Sequence, residues 1–163
     1  MRKYVLSMAV LAMSVCLFCG CSSSGDDDIV PENYVKTTEG VHRIEVSFDG
    51  DTEGFNTRLT FVAVYGDGSH GDVKIYENGK QVGESSYQAE ELRSYAVETG
   101  KMCDQMSLTL AVSRNAKEAG KSMTVTLKSF INGKQVKSKT AIFSANEFAK
   151  SIVFDSELDA DIL

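Results

Sequence analysis

From about residue 41 to residue 155 the chain alternates apolar and polar residues with the period of β-strands. Ile44, Val46 and Phe48 alternate with Arg43, Glu45 and Ser47, which predicts a strand with one wet face. Thr57 to Tyr65 differs. Leu59, Phe61, Ala63 and Tyr65 fall on one face and Val62 and Val64 on the other, so this strand is expected to be central and covered on both sides. Further on, Val73 and Ile75 open a strand that reverses at Asn78–Gly79. Both central residues of a two-residue type I′ turn need positive φ, which Asn-Gly supplies best, so a hairpin is expected with its return strand from Lys80. The predicted strands are 42–48, 57–65, 72–77, 80–87, 92–98, 106–113, 122–131, 134–143 and 150–155. Long helical periodicity is absent. Ala89–Leu92 and Ala145–Phe148 are each expected to form one helical turn between strands.

The order of signals then repeats. Asn78–Gly79–Lys80–Gln81–Val82 returns unchanged as Asn132–Gly133–Lys134–Gln135–Val136, and Leu59–Ala63 returns as Leu108–Val112. Tyr87–Leu92 has a counterpart in Phe143–Phe148 after the second hairpin. Three matches in one order predict a duplicated unit, with pseudo-repeats at about 41–91 and 92–155. Two copies are too few for a repeat array, so both are expected to share one core. Nine short strands with turn signals between them predict an all-β, two-layer antiparallel β-sandwich. An up-and-down calycin-like β-barrel is the alternative, its lumen lined by residues such as Phe61, Leu110, Leu127 and Ile142. The Gly-x-Trp signature of lipocalins is missing, and the chain has no tryptophan.

The N-terminal segment has another character. Arg2 and Lys3 precede an apolar run from Tyr4 to Phe18, and Gly20 precedes Cys21. The run is shorter than the roughly 20 apolar residues of a membrane span. The segment resembles a bacterial lipoprotein signal, whose lipobox ends in a cysteine behind a small residue. Cys16 and Cys19 follow the bulky Val15 and Phe18, so Cys21 is the expected lipidation site. Ser22–Ser23–Ser24–Gly25–Asp26–Asp27–Asp28 resembles the export signal of Bacteroidetes-type lipoproteins. The resemblance implies a signal peptide over 1–20 and a lipid anchor in the outer membrane at the cell surface, with the periplasmic face still open. Residues 21–40 read as a flexible acidic tether with the only proline, Pro31, and 156–163 as an acidic tail.

Charge narrows the partners. The chain carries a net −6, and −8 without Arg2 and Lys3. No cluster of Lys and Arg offers a phosphate backbone its counter-charges, so nucleic acid is not an expected partner. Downstream of the signal only Cys103 remains, too few for an intramolecular disulfide, and it is expected as a buried apolar residue.

Candidate chemistry is sparse. Asp49–Gly50–Asp51–Thr52–Glu53–Gly54 follows the first half of a calcium loop, but the position of the bidentate glutamate holds Thr60. Asp67 and Asp72 flank a second acidic loop. Successive loops of antiparallel strands lie at opposite sheet ends, so Asp49, Asp51 and Glu53 are not expected to share an ion with Asp67 and Asp72. His42 and His70 have no Gly-x-Ser-x-Gly elbow or orienting group in the sequence, so no catalytic residue and no cofactor is expected. The loop Arg114–Lys121 is basic where its counterpart Gly66–Asp72 is acidic and glycine-rich. These features predict a non-catalytic binding or structural module with a protein or glycan partner. A small-molecule carrier or a subunit of a surface assembly are the alternatives.

Overall fold

A computed structural model describes residues 37–65, 73–115, 120–144 and 146–157, all within one compact unit, Val35–Leu163. The signal segment, Cys21, His70 and the carboxylates Asp67 and Asp72 lie outside the described residues. Among the described residues ten strands form: β1 (His42–Gly50), β2 (Phe55–Val64), β3 (Lys74–Glu77), β4 (Lys80–Glu84), β5 (Ser86–Ala89), β6 (Tyr95–Thr99), β7 (Gln105–Arg114), β8 (Ser122–Ile131), β9 (Lys134–Ser144) and β10 (Ala149–Asp155). They make two packed antiparallel sheets, β4-β3-β6-β1-β8-β9 and β10-β7-β2-β5. The expected sandwich is the observed architecture, with ten strands in place of nine.

The extra strand comes from a break in the segment expected at 80–87. Ser85 takes a φ of +55° and ends β4, and β5 continues in the other sheet. Its backbone serves both layers: Ser85 N–H donates to Val73 O at 2.8 Å and Ser85 O accepts from Ala63 N–H at 3.0 Å. One residue pair, Glu84↔Ser86, joins the sheets there. The corner thus pairs both backbone groups of Ser85 where the chain changes layers.

Strand order carries the mark of a duplication. Exchanging β1–β5 with β6–β10 turns each sheet's order into its own reverse. The repeated unit therefore has five strands. Both Asn-Gly turns have the paired positive φ values of a type I′ turn, 51° and 77° at Asn78–Gly79, 50° and 78° at Asn132–Gly133. A register shift precedes each at the same place, between Ile75 and Tyr76 in one hairpin and between Ser129 and Phe130 in the other. The central pairs, β1 with β6 and β2 with β7, each join the two halves.

Inward-facing rows from both sheets fill the space between them. Phe61, Phe154, Ile44, Leu59, Leu108, Leu110 and Leu127 are fully buried. The barrel alternative is overturned, because β9 and β10, the two ends of the strand order, do not pair. Phe61, Leu110 and Leu127 belong to a packed core, and Ile142 points outward, 66% exposed. A reason lies in the inward row of β9. Lys137 and Lys139 stand opposite Ser129 and Leu127, where apolar residues would invite pairing across the gap. Lys137 sits 5.3 Å from the Phe154 ring of β10, and Lys150 of β10 sits 5.9 Å from the Phe143 ring of β9. Inward charges on edge strands block further strand addition.

Three expectations at the margins change. Thr38 and Gly40, placed in the tether, are bonded to the fold, Gly40 by a bridge to Cys103. Ser156, placed in the tail, is fully buried. The segments around Ala89–Leu92 and Asn146–Phe148 are bends without helix, whereas Thr52–Gly54 forms a 3-10 turn.

Candidate functional site

The acidic loop between β1 and β2 does not gather its carboxylates. Asp49 Oδ1 accepts the Gly50 N–H at 2.9 Å, and Asp51 Oδ2 accepts the Ser122 N–H at 3.3 Å. Glu53 lies in the 3-10 turn. Two of three candidates thus hold loop backbone. Among the described residues no group of three His, Cys, Asp or Glu side chains could hold a metal ion.

The polar residues that do converge lie where β1 begins. His42 Nε2 is 2.9 Å from Thr38 O, which can only accept, so Nε2–H donates to it, and Nδ1 lies in hydrogen-bond contact with the Ser156 hydroxyl at 2.8 Å. Ser156 Oγ also accepts the Met106 N–H at 3.2 Å, and Ser129 donates its hydroxyl to Ser156 O at 2.6 Å. Glu157 closes the cluster. Its carboxylate takes the Thr38 N–H at 2.7 Å and hydroxyl at 2.6 Å, and that hydroxyl foremost holds its pKa below the ordinary range. This serine-histidine pair is fully buried and every polar atom named here has a partner, so it clasps the two ends of the domain rather than facing a substrate. Cys103, also fully buried, has its thiol pKa pushed up by burial and stays protonated.

A second cluster covers the first hairpin. Glu77 faces inward, its side chain 8% exposed, and is gripped by Arg93 through the two terminal guanidinium nitrogens, with Tyr87 donating its hydroxyl at 3.0 Å. The Arg93 hydrogen bond is the main reason the Glu77 pKa lies below the ordinary range, against an opposing push from burial. Arg93 in turn lies 4.1 Å over the Tyr95 ring, whose hydroxyl donates to Glu91 O at 2.7 Å. Tyr95 and His42 both reach back four residues to a carbonyl near the starts of β6 and β1. The sequence signal for this cluster was a glutamate on the inward row beside Ile75, directly before a tight turn.

Depressions on the described surface are shallow and open. One of about 370 Å³ lies on the six-stranded sheet between Glu45 and Lys128, and one of about 340 Å³ lies on the four-stranded sheet among Asn56, Arg58, Ala111, Ser113 and Ser151.

No family model matches the chain, and no curated protein matches it. Solved structures share its fold. A DUF4425 family protein from Bacteroides ovatus ATCC 8483 superposes with a TM-score of 0.64 at 24% identity, covering 73% of this chain and 97% of its own. A DUF4425 domain of unknown function from Bacteroides vulgatus ATCC 8482 gives 0.64 at 22%, covering 74% and 97%. A protein from Parabacteroides distasonis, solved by NMR in its calcium-bound form, gives 0.57 at 16%, covering 80% and 99%. Identities this low establish the fold alone.

Proposed function

We propose that the chain is a lipid-anchored, surface-displayed β-sandwich of the outer membrane that serves as a non-catalytic binding or structural module for a protein or glycan partner. Gly20–Cys21 followed by Ser22–Asp28 carries the reading, since it ends an apolar segment and precedes the compact unit. The fold neighbours come from Bacteroides and Parabacteroides, in agreement with the type of export signal the sequence resembles. Among the described residues neither polar cluster supplies an open set of acid, base and nucleophile, which favours a module over an enzyme. The test is incorporation of an alkynyl fatty acid in a Bacteroidetes host, with protease added to intact cells. The wild type is expected to take the label and be cleaved from outside, and Cys21→Ala to lose the label and leave the membrane fraction. Label retained in Cys21→Ala overturns the anchor, and full protection from protease overturns surface display.

One observation favours a second reading, calcium binding: the Parabacteroides protein of this fold was solved calcium-bound. Asp49, Asp51 and Glu53 form the described acidic loop, and Asp67 and Asp72 belong to the other. Only a single-loop, weak site fits the former, because its aspartates already accept backbone N–H groups. Added calcium is expected to raise the Tm by less than about 2 °C at millimolar concentration. A larger rise, abolished by Asp51→Asn, would establish calcium as a ligand of that loop.

A further inference from the structure

We propose that residues 158–163 add to the six-stranded sheet as a strand along the outer edge of β9, running parallel to it. Among the described residues β9 is the last strand of that sheet. The described chain stops beside it. Ser156 N–H donates to Met106 O of β7 at 2.8 Å, and Ser156 O accepts the Ser129 hydroxyl of β8 at 2.6 Å, so the chain crosses here from the four-stranded sheet to the six-stranded one. Glu157, tied to Thr38, then lines an open groove of about 640 Å³ together with Ile131, Lys134 and Val136, where β9 begins. Leu158 follows directly from this groove.

Direction follows from the fold. Lys137, early in β9, meets Phe154, late in β10, and Phe143, late in β9, meets Lys150, early in β10, so the two strands run oppositely. β9 extends from the groove in one direction only, opposite to that of β10. A chain that has crossed at the end of β10 and follows the β9 edge therefore runs parallel to β9. With Leu158 beside Val136 in the groove, the parallel register sets Asp159 beside Lys137 and Asp161 beside Lys139.

Sequence and charge match that register. Leu158, Ala160 and Ile162 alternate with Asp159 and Asp161, the period of a strand. Lys137 and Lys139 stand on the inward row of β9, opposite Ser129 and Leu127. Residues that face each other across neighbouring strands share a side of the sheet, so each aspartate meets a lysine of opposite charge. The apolar set falls on the outward side and begins next to Val136, which is 46% exposed. Inward lysines turn away a strand with apolar residues at those positions and admit one with carboxylates there, so the charges that guard the edge also select its occupant. The segment preceding Thr38 has the other claim on the groove. Its aspartates Asp26–Asp28 are consecutive rather than alternating, and Pro31 has no N–H for a ladder.

The experiment is amide hydrogen exchange by NMR on residues 22–163, which keep both segments and the whole described fold and carry no lipid. In the wild type the amides of residues 159–162 are expected to exchange roughly tenfold or more slowly than in an unstructured peptide, and the β9 amides that point away from β8 roughly tenfold or more slowly than in the same chain ended at Glu157. Asp161→Lys and Lys139→Glu are each expected to speed exchange in both sets roughly fivefold, and the two together to restore the wild-type rates. Replacing Asp26, Asp27 and Asp28 together by asparagine is expected to change nothing. Exchange of residues 159–162 at the unstructured rate overturns the proposal, as does a β9 edge that truncation leaves unchanged, or a double reversal no better protected than either single one. Protection lost in the triple asparagine variant would assign the edge to the preceding segment, and protection that falls on dilution would assign it to a second copy; either result also overturns it.

Discussion

Gly83→Ala is expected to destabilise the domain by about 3 kcal/mol, the upper range for forced overpacking, and Gly100→Ala by less than about 1 kcal/mol. Both glycines look equally crowded. A Cβ at Gly83 would stand 2.1 Å from Ser86 O, and one at Gly100 would stand 2.2 Å from Tyr76 Cε2. The neighbours differ in kind. Ser86 O is backbone in the corner where the chain changes sheets, and moving it breaks the Ser85 hydrogen bonds to Val73 and Ala63. The Tyr76 ring is part of a half-buried side chain that can swing outward, and the alanine recovers a few tenths of a kcal/mol by restricting the unfolded chain. Urea unfolding of the two variants checks the contrast. Equal midpoints would mean that the corner is softer than its hydrogen bonds suggest.

Arg93→Ala is expected to remove about 2–3 kcal/mol at neutral pH. Breaking a fully buried pair costs about 3–5 kcal/mol, and the guanidinium here is 42% exposed, so solvent screening lowers the figure. The loss arises because Glu77 stays buried without its cation. Its dependence on pH follows from the direction of the shift. In the wild type the Glu77 pKa is lowered, so the pair's contribution is fully present above the ordinary glutamate value of about 4.3 and is lost as pH falls through the lower folded value. Without Arg93, burial dominates and raises that pKa, so the variant loses stability as pH rises above about 4.3. The gap between the two proteins is therefore expected to be widest near neutrality and to shrink below about pH 4, as thermal melts across that range would register. Combining Arg93→Met with Glu77→Leu is expected to recover most of the loss, since neither a charge nor a hollow remains.

Much of this fold could be read from the chain because its strongest signals are local. The two Asn-Gly turns require positive φ at both positions, and alternation such as Ile44-Glu45-Val46 fixes which row meets the core. The break at Ser85 was hidden, since Gly83, Glu84 and Ser85 fit a polar edge strand as well as a corner. Thr57–Tyr65 misled in a more useful way. Its apolar residues on both faces indicated a covered strand, and β2 is interior within its sheet, but among the described residues no strand or helix lies over the outer face of that sheet. Period-two patterning reports that a face is apolar, not what covers it. The polar clasp was illegible for another reason. His42 and Ser156 are 114 positions apart, and only the pairing of β1 with β8 and of β10 with β7 brings them together.

The interlocked halves also set a clock. β1 lies between β6 and β8, with no sequence neighbour at its side, and its full-length partner is β8, His42 facing Ile131. At a synthesis rate of roughly 5–20 residues per second, β1 is complete roughly 4–16 s before the last residues of β8 exist. A hairpin closes in roughly 1–10 µs, so β3 with β4, and later β8 with β9, can form while β1 still waits. The chain thus passes several seconds with an alternating apolar strand unpaired on both edges. The slow step of folding is then set by the arrival of the second half rather than by the chemistry of the first.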